Sequence, residues 1–304
     1  MKEVYTLTDL QGWRSIQQDA GGPIRLGVVG DPVAHSLSPQ MQNAALRHCG
    51  INLQYTRFHT PAADLPETLK RMRELDFVGA NLTVPHKIAA LPLMDQVDPD
   101  AKRMGAVNTI KVGNEYLAGF NTDGRGFSRA VREEFSVDLR DLRVLLLGAG
   151  GVARAIATQC AKEKCERLVI ANRTFEKAEG LVNGLRDFFV GPKVLGPVAR
   201  LQAIPWEEQA FRFQIANVDL MVNATPLGLN QSDRSPIPSR LLAPHLMIFD
   251  TIYLERRTPF VAAAIAAGAR ATNGLSMLLH QGALAFELWF NREAPIEVMR
   301  RAIC

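Results

Sequence analysis

The chain has 304 residues, 47% of them hydrophobic, and its 35 basic against 31 acidic side chains leave a net charge of only +4. That length exceeds one usual core, so two domains are expected, and the scattered, nearly balanced charge argues against a nucleic-acid partner. MKEVYTLTDLQGW lacks the apolar core of a signal peptide, no stretch approaches the roughly 18 apolar residues of a membrane span, and Cys49, Cys160, Cys165 and Cys304 form neither a CxxC pair nor a zinc spacing with the six histidines. A cytoplasmic protein with reduced thiols and no metal is therefore expected.

Leu7, Leu10, Trp13 and Ile16 recur at helical spacing and predict a short amphipathic helix docked on the first domain. IRLGVVG, residues 24–30, reads as a strand, and Ser38 with Pro39 as the N-cap and first turn of a helix closed by Gly50. LQYTRFH around Tyr55 reads as a second strand, 65–75 as a helix and FVGANLT as a third strand. VNTIKV and YLAGF flank Gly113 and Asn114 as a hairpin. A helix over about 123–135 leads to LRVLLLGAGG, which opens a second series. Its strands are expected at 144–147, 168–171, 219–222 and 247–249, and its helices at about 152–162, 175–185 and 259–267. Residues 188–214 carry no clear pattern, and MLLHQGALAFELWF is an apolar helix that the second domain does not need. The alternation predicts βαβ units around largely parallel sheets.

Three stretches carry chemistry. In NLTVPHK, 81–87, Pro85 turns the chain from strand to helix, so Asn81, Thr83 and Lys87 can face one polar pocket. Ser36 and Ser38 precede the first helix of the alternating series, and NTDGRG sets Asn121, Thr122 and Asp123 at the mouth of the long helix. Capping and a helix-start acid are the plain readings of those residues. Gly148, Gly150 and Ala153 form G-x-G-x-x-A directly between an apolar strand and a helix. There the glycines allow a tight turn and the approach of a pyrophosphate, and the helix N-terminus offers unpaired N–H groups to phosphate. A dinucleotide is thus expected along Gly148, Ala149, Gly150, Gly151 and Val152. After the next strand come Asn172, Arg173, Thr174 and Lys177, where an NAD site would place Asp or Glu. Donors without a carboxylate suit a 2′-phosphate, so NADP is expected over NAD.

GDPVAHSLSP, GANLTVPHK, GAVNTI, GFNTDGRGF, GAGGVARA, ANRT, NATPLGL and NGLSMLLHQGALAFELW, in that order, resemble the shikimate dehydrogenase family over nearly the whole chain from Ile24. The resemblance implies an α/β protein with an N-terminal substrate domain (1–122 and 278–304), a C-terminal Rossmann NADP-binding domain (123–277) and a cleft between them. It implies reversible NADP-dependent reduction of 3-dehydroshikimate to shikimate. It also implies that Ser36 and Ser38 bind the substrate carboxylate, that Asn81, Thr83, Asn108 and Gln281 surround the ring hydroxyls, and that Tyr253 stands near the substrate. Lys87 and Asp123 would be the catalytic pair, and Asn223, Thr225, Gly274 and Met277 would complete the cofactor site. Gln42, Pro226 and Ser276 depart from the family's usual His, Ser and Gly. Lys87 is read as base in oxidation and acid in reduction, with Asp123 orienting it; the exchange of these two roles stays open. A quinate or aminoshikimate dehydrogenase and a non-catalytic NADP-binding regulator are the alternatives. A small-molecule substrate, no nucleic acid, no membrane and a monomer or homodimer complete the expectation.

Overall fold

The computed structural model describes residues 2–16, 22–190, 199–230, 232–254 and 256–304. The chain forms two compact units, one of Met1–Gly126 with Leu278–Cys304, the other of Phe127–Met277. In the first, β1 (Val4–Tyr5), α1 (Leu7–Gln11) and α2 (Trp13–Ile16) lead into β2 (Ile24–Gly30), α3 (Ser38–His48) and β3 (Gln54–His59). Then come α4 (Leu65–Glu74), β4 (Gly79–Leu82), α5 (His86–Ala89), β5 (Gln96–Val97), α6 (Pro99–Met104), β6 (Thr109–Val112) and β7 (Leu117–Phe120). These strands lie in the order β1-β3-β2-β4-β6-β7-β5. Pairing is parallel except that β6 runs antiparallel to both β4 and β7. The hairpin expected around Gly113 is β6 with β7, Thr109 standing opposite Phe120.

Two local expectations are corrected. The single N-terminal helix is instead a strand and two short helices, with Gly12, a poor helix former, between α1 and α2. β1 adds to β3, Val4 opposite Arg57, and Tyr5, Leu10 and Trp13 are buried with Phe58 and Phe77. Tyr5 and Trp13 meet edge to face at 5.2 Å between ring centroids, an arrangement aromatic pairs favour. Ser38 is not an N-cap: α3 starts at Ser38 with Leu37 at the cap position. The acceptor is supplied from two residues back, because Ser36 Oγ receives the Ser38 N–H at 3.3 Å.

The chain leaves the first unit within α7 (Asp123–Phe135). The second unit then holds β8 (Arg143–Leu147), α8 (Gly151–Lys162), β9 (Arg167–Ala171), α9 (Phe175–Leu185), β10 (Leu201–Ile204), α10 (Glu208–Ile215) and β11 (Leu220–Asn223). β12 (Met247–Asp250), α11 (Pro259–Ala266) and β13 (Arg270–Thr272) complete it. Its six strands, ordered β10-β9-β8-β11-β12-β13, are all parallel. Val144, Leu146, Ile170 and Val222 enter one core cluster, while Leu145, Leu147, Val169 and Met221 enter another. Burial on both faces explains why these strands read as unbroken apolar runs. The stretch without a pattern contains β10 and α10. β10 is an edge strand and only partly buried, so its apolar signal is weak; residues 191–198 lie outside the described residues.

The chain returns to the first unit within α12 (Leu275–Phe290) and ends with α13 (Ile296–Arg301). In that unit the Trp289 Nε1–H donates to Ile110 O at 2.9 Å and Gln42 Nε2 to Gly282 O at 2.9 Å. Gly282 leaves room there for the end of the Met41 side chain of α3. Gln42, the residue that departs from the family's His, is thus a tie between α3 and α12. Ser276 sits in the first turn of α12, buried, with a hydroxyl that finds no partner. Among the described residues no helix is long and apolar enough to cross a membrane and no His, Cys, Asp and Glu cluster could hold a metal. All four cysteines are free.

Candidate active site

Within the first unit, the carboxyl ends of β4 and β7, the amino end of the antiparallel β6 and the first turns of α5 and α7 converge on Lys87 and Asp123. α5 begins just after Pro85, and Lys87 O accepts the Val107 N–H at 2.7 Å, which fixes this turn against the segment entering β6. Lys87 Nζ donates to Asp123 Oδ2 at 2.6 Å, with side chains 13% and 4% exposed. At the start of α7 the Asp123 N–H is received by Asn121 Oδ1 at 3.0 Å, and Asn121 Nδ2 donates to Ala106 O at 2.8 Å. Asp123 is therefore anchored through its backbone while its carboxylate points at the lysine.

Asn108 holds the other carboxylate oxygen. Its Nδ2 donates to Asp123 Oδ1 at 2.8 Å and to Thr122 Oγ1 at 2.9 Å. Its Oδ1 accepts from the Thr122 N–H at 2.8 Å and from Thr109 Oγ1 at 2.9 Å. Both amide hydrogens and both lone pairs are engaged. Gln281 of α12 joins the cluster, with Oε1 at 3.4 Å from Asn108 Nδ2 and Nε2 donating to Leu278 O at 2.9 Å. Gly126 lets Gln281 come close, because a Cβ there would lie 2.8 Å from the Gln281 backbone nitrogen. Asn81 Nδ2 donates to Thr109 Oγ1 at 3.1 Å and to Asn108 O at 3.3 Å, and its Oδ1 accepts from Tyr55 Oη at 2.8 Å.

Ser36, Ser38 and Thr83 stand in the same unit. Ser36 O is gripped by Arg57, whose Nε and Nη2 donate at 3.1 and 2.7 Å. The Thr83 N–H donates to Val29 O at 3.0 Å and Thr83 O accepts the His86 N–H at 2.8 Å. His86 is fully buried and its Nε2 bonds Thr60 O at 2.8 Å; burial holds its pKa below the usual histidine value. Tyr253, by contrast, belongs to the second unit and is not a member of the cluster the first unit forms by itself. Tyr55, Arg57 and Thr109 are the participants that sequence reasoning did not name, whereas Asn121 and Thr122 were named at the mouth of the long helix without a site role. Only the placing of Thr109 beside Asn108 in the chain could have flagged it.

In the second unit β8 lies between β9 and β11, so connections leave it in opposite directions; α/β sheets bind ligands outside such a point. Gly148 sits there with φ +118°, and a Cβ would stand 2.8 Å from Ala224 O, so only glycine fits. A Cβ built on Gly150 would meet nothing within 4 Å, which leaves this turn open in front of Gly151, Val152 and the start of α8. Ala149 is buried at the strand end and Ala153 is wholly buried against the sheet. Arg154, in the first turns of α8, has a buried Nε with no partner. After β9, Asn172 Nδ2 donates to Thr174 O at 2.8 Å, shaping a turn on which Arg173, Thr174 and Lys177 are exposed. An open glycine turn, an unpartnered guanidinium nitrogen and exposed donors fit a dinucleotide with phosphate groups.

Asn223, at the end of β11, is saturated from within. Its Oδ1 accepts from Thr225 N and Oγ1 at 3.1 and 2.7 Å, and its Nδ2 donates to Leu227 O and to Asp250 Oδ1 at 3.1 and 2.9 Å. Asp250 has no solvent exposure, and burial pushes its pKa up to about 6. Gly274 N–H donates to Ile252 O at 3.1 Å, and Met277 is buried in the core that includes Phe127 and Phe249.

Three family models match stretches of the chain. The shikimate dehydrogenase substrate binding domain matches residues 28–110, the shikimate / quinate 5-dehydrogenase model residues 129–193, and the shikimate 5'-dehydrogenase C-terminal domain residues 274–304. The shikimate dehydrogenase (NADP(+)) of Methanopyrus kandleri is 41% identical over 280 residues, 91% of this chain and 94% of its own. The chain belongs to the shikimate dehydrogenase family. A second member, the shikimate dehydrogenase (NADP(+)) of Moorella thermoacetica, is 42% identical over 279 residues, 91% of this chain and 92% of its own. Among solved structures of the family, shikimate 5-dehydrogenase from Thermus thermophilus, in complex with NADP(H) and shikimate, is 37% identical with a TM-score of 0.79. That match covers 92% of this chain and 98% of the other.

Proposed function

We propose that this chain catalyses the reversible NADP-dependent reduction of 3-dehydroshikimate to shikimate, a step in making chorismate and the aromatic amino acids. The observation that carries the reading is the Lys87–Asp123 pair at 2.6 Å, held by Asn108 in a chain 41–42% identical to relatives named shikimate dehydrogenase (NADP(+)). Residues 1–122 with 278–304 form the substrate domain and 123–277 the NADP domain, limits that differ by a few residues from the compact units.

When bound, NADPH supplies the hydride to the substrate carbonyl carbon, and NADP+ receives it in the reverse direction. Gly148, Ala149, Gly150, Gly151 and Val152 receive the pyrophosphate at the head of α8. Asn172, Arg173, Thr174 and Lys177 take the 2′-phosphate by charge and hydrogen bonding. Asn223, Thr225, Gly274 and Met277 shape the nicotinamide side. Because Asn223 has its polar atoms committed to Thr225, Leu227 and Asp250, it acts by fixing that loop.

On the substrate, Ser36 and Ser38 hold the carboxylate, and Asn81, Thr83, Asn108, Gln281 and Tyr253 are the groups around the ring. Asn81 Oδ1 keeps one lone pair beyond the Tyr55 bond for a ring hydroxyl. Asn108 contributes chiefly by clamping Asp123. In reduction the oxygen of the carbonyl gains negative charge and Lys87 Nζ gives it a proton; in oxidation Nζ takes the hydroxyl proton. Asp123 aims the ammonium.

The protein works in the cytosol as a monomer or homodimer, its mass in solution being measurable by light scattering. The deciding experiment follows NADPH or NADH formation spectrophotometrically with shikimate and with quinate, each with NADP+ and NAD+. Turnover with shikimate and NADP+ above the other three combinations is expected. A quinate preference, the second reading favoured by the shared shikimate / quinate family model, would replace the substrate but keep the site. No turnover with any pair would leave a nucleotide-binding regulator.

A further inference from the structure

We propose that Tyr55 and Thr109 are positioning residues that set the Lys87–Asp123 pair through the amides of Asn81 and Asn108. The proposal rests on reading that pair as the proton-transfer groups. The four side chains form one directed run of hydrogen bonds. Tyr55 Oη donates to Asn81 Oδ1 at 2.8 Å, which turns the Asn81 NH2 toward Thr109 Oγ1 at 3.1 Å. A hydroxyl has a single hydrogen, and Thr109 directs it to Asn108 Oδ1 at 2.9 Å. Asn108 then faces Asp123 Oδ1 with its NH2 at 2.8 Å, and Asp123 Oδ2 receives Lys87 at 2.6 Å.

Reversing Asn108 would set its Oδ1 against the Asp123 carboxylate and its NH2 against the Thr122 N–H, and reversing Asn81 would set its Oδ1 against Asn108 O, so both amides are held in this sense and the two hydroxyls link them. Thr122 N–H presses on Asn108 Oδ1 in the same sense, at 2.8 Å. Tyr55, Asn81, Thr109, Asn108 and Asp123 are 2%, 5%, 0%, 1% and 3% exposed, and in such a low-dielectric setting hydrogen bonds are strong and misplaced ones costly. The backbone supports the design: Asn81 of β4 stands directly opposite Thr109 of β6 in the antiparallel pair, where side chains share a face. Tyr55 is braced on β3 by Asn43, whose Oδ1 accepts the Tyr55 N–H and whose Nδ2 donates to Tyr55 O, both at 2.8 Å. A sheet selected for stability alone would place Phe and Val at these two positions, since a satisfied hydroxyl adds only about 1 kcal/mol net.

The test compares Tyr55→Phe, Thr109→Val, Thr109→Ser and Lys87→Ala in shikimate oxidation, with thermal melting to establish folding. Tyr55→Phe and Thr109→Val should each lower kcat about three- to tenfold, the rate equivalent of roughly one hydrogen bond, with a smaller change in KM. Thr109→Ser should recover kcat to within about twofold of the parent, because it restores the hydroxyl. Tyr55→Phe keeps the ring and its packing, so it decides the matter even if Thr109→Val does not fold. Unchanged kcat in folded Tyr55→Phe, or a serine variant as slow as the valine one, overturns the proposal. Collapse of Lys87→Ala alongside parental rates in Tyr55→Phe and Thr109→Val would remove the positioning role and leave the pair in place. Retained turnover in Lys87→Ala would remove both.

Discussion

Thr258 Oγ1 donates to Asp250 Oδ2 at 2.6 Å, so the carboxyl at the end of β12 is tied to the residue that caps α11. The same carboxyl accepts from Asn223 at 2.9 Å and from the Ile252 N–H at 3.2 Å. These three bonds join the ends of β11 and β12 to the loop that leads into α11.

They also give a pH signature. Burial raises the Asp250 pKa from 3.8 to about 6, so the folded state holds this proton more tightly than the unfolded chain. Its contribution is fully present below the unfolded value and is lost as pH rises through about 6, a change on the order of 2–3 kcal/mol. Asp250→Asn removes this titration. Relative to the parent, the variant should gain stability between about pH 4 and pH 8, measured as the difference in denaturant midpoints. Parallel curves for the two proteins would show that Asp250 is charged in both states.

Lys87→Ala should lower kcat by at least roughly 10²-fold, the usual loss for a general acid/base, with the fold retained. Steady-state rates and circular dichroism on the same preparation check this. Near-parental turnover would take Lys87 out of the mechanism.

For Arg173→Ala the expected loss is about 1.5–3 kcal/mol of NADP+ binding, that of a charged hydrogen bond, with NAD+ nearly unaffected. Titration of both nucleotides distinguishes the cases. Equal weakening would mark Arg173 as part of the turn's architecture instead of the 2′-phosphate site.

In the proposed reading, substrate choice turns on Ser36 and Ser38 holding the carboxylate. Quinate carries an additional hydroxyl on a tetrahedral carbon, and two serines engaged with the carboxylate offer no evident acceptor for it. An unpartnered buried polar group costs about 1–3 kcal/mol, so kcat/KM for shikimate should exceed that for quinate at least about tenfold. Ser36→Ala and Ser38→Ala should raise KM more than they lower kcat, because a carboxylate remote from the reacting carbon is held alike in ground and transition states. Equal efficiency with quinate would defeat the specificity claim.

What the sequence makes legible follows from how local the determinant is. Gly148 can be read because strand, turn and helix are contiguous, and the structure shows the positive φ that requires it. The all-parallel sheet of the second unit is visible as apolar runs since both its faces are covered. Tyr55 cannot be read in this way. Its partner Asn81 is 26 residues away, on a strand separated from β3 by β2, and a tyrosine in an apolar strand looks like core. Arg57 is similar: its guanidinium supports the Ser36 loop across 21 residues, yet in the chain it is only a charge within a strand. β10 and the break at Gly12 escaped notice because short, half-buried elements leave too few residues for a period to show.

The route of the chain through its two units sets an order of events. Gln42 meets Gly282 across 240 positions and Ile110 meets Trp289 across 179, whereas Phe127–Met277 is one uninterrupted stretch. On the ribosome the inserted unit is complete before its host. The host must wait for its final helices, with β2, β3, β4 and β6 already made but one side of their packing still to be synthesised. Vectorial synthesis, which ordinarily favours the amino-terminal domain, here favours the second one, and Gln281 is among the last residues to reach the candidate site.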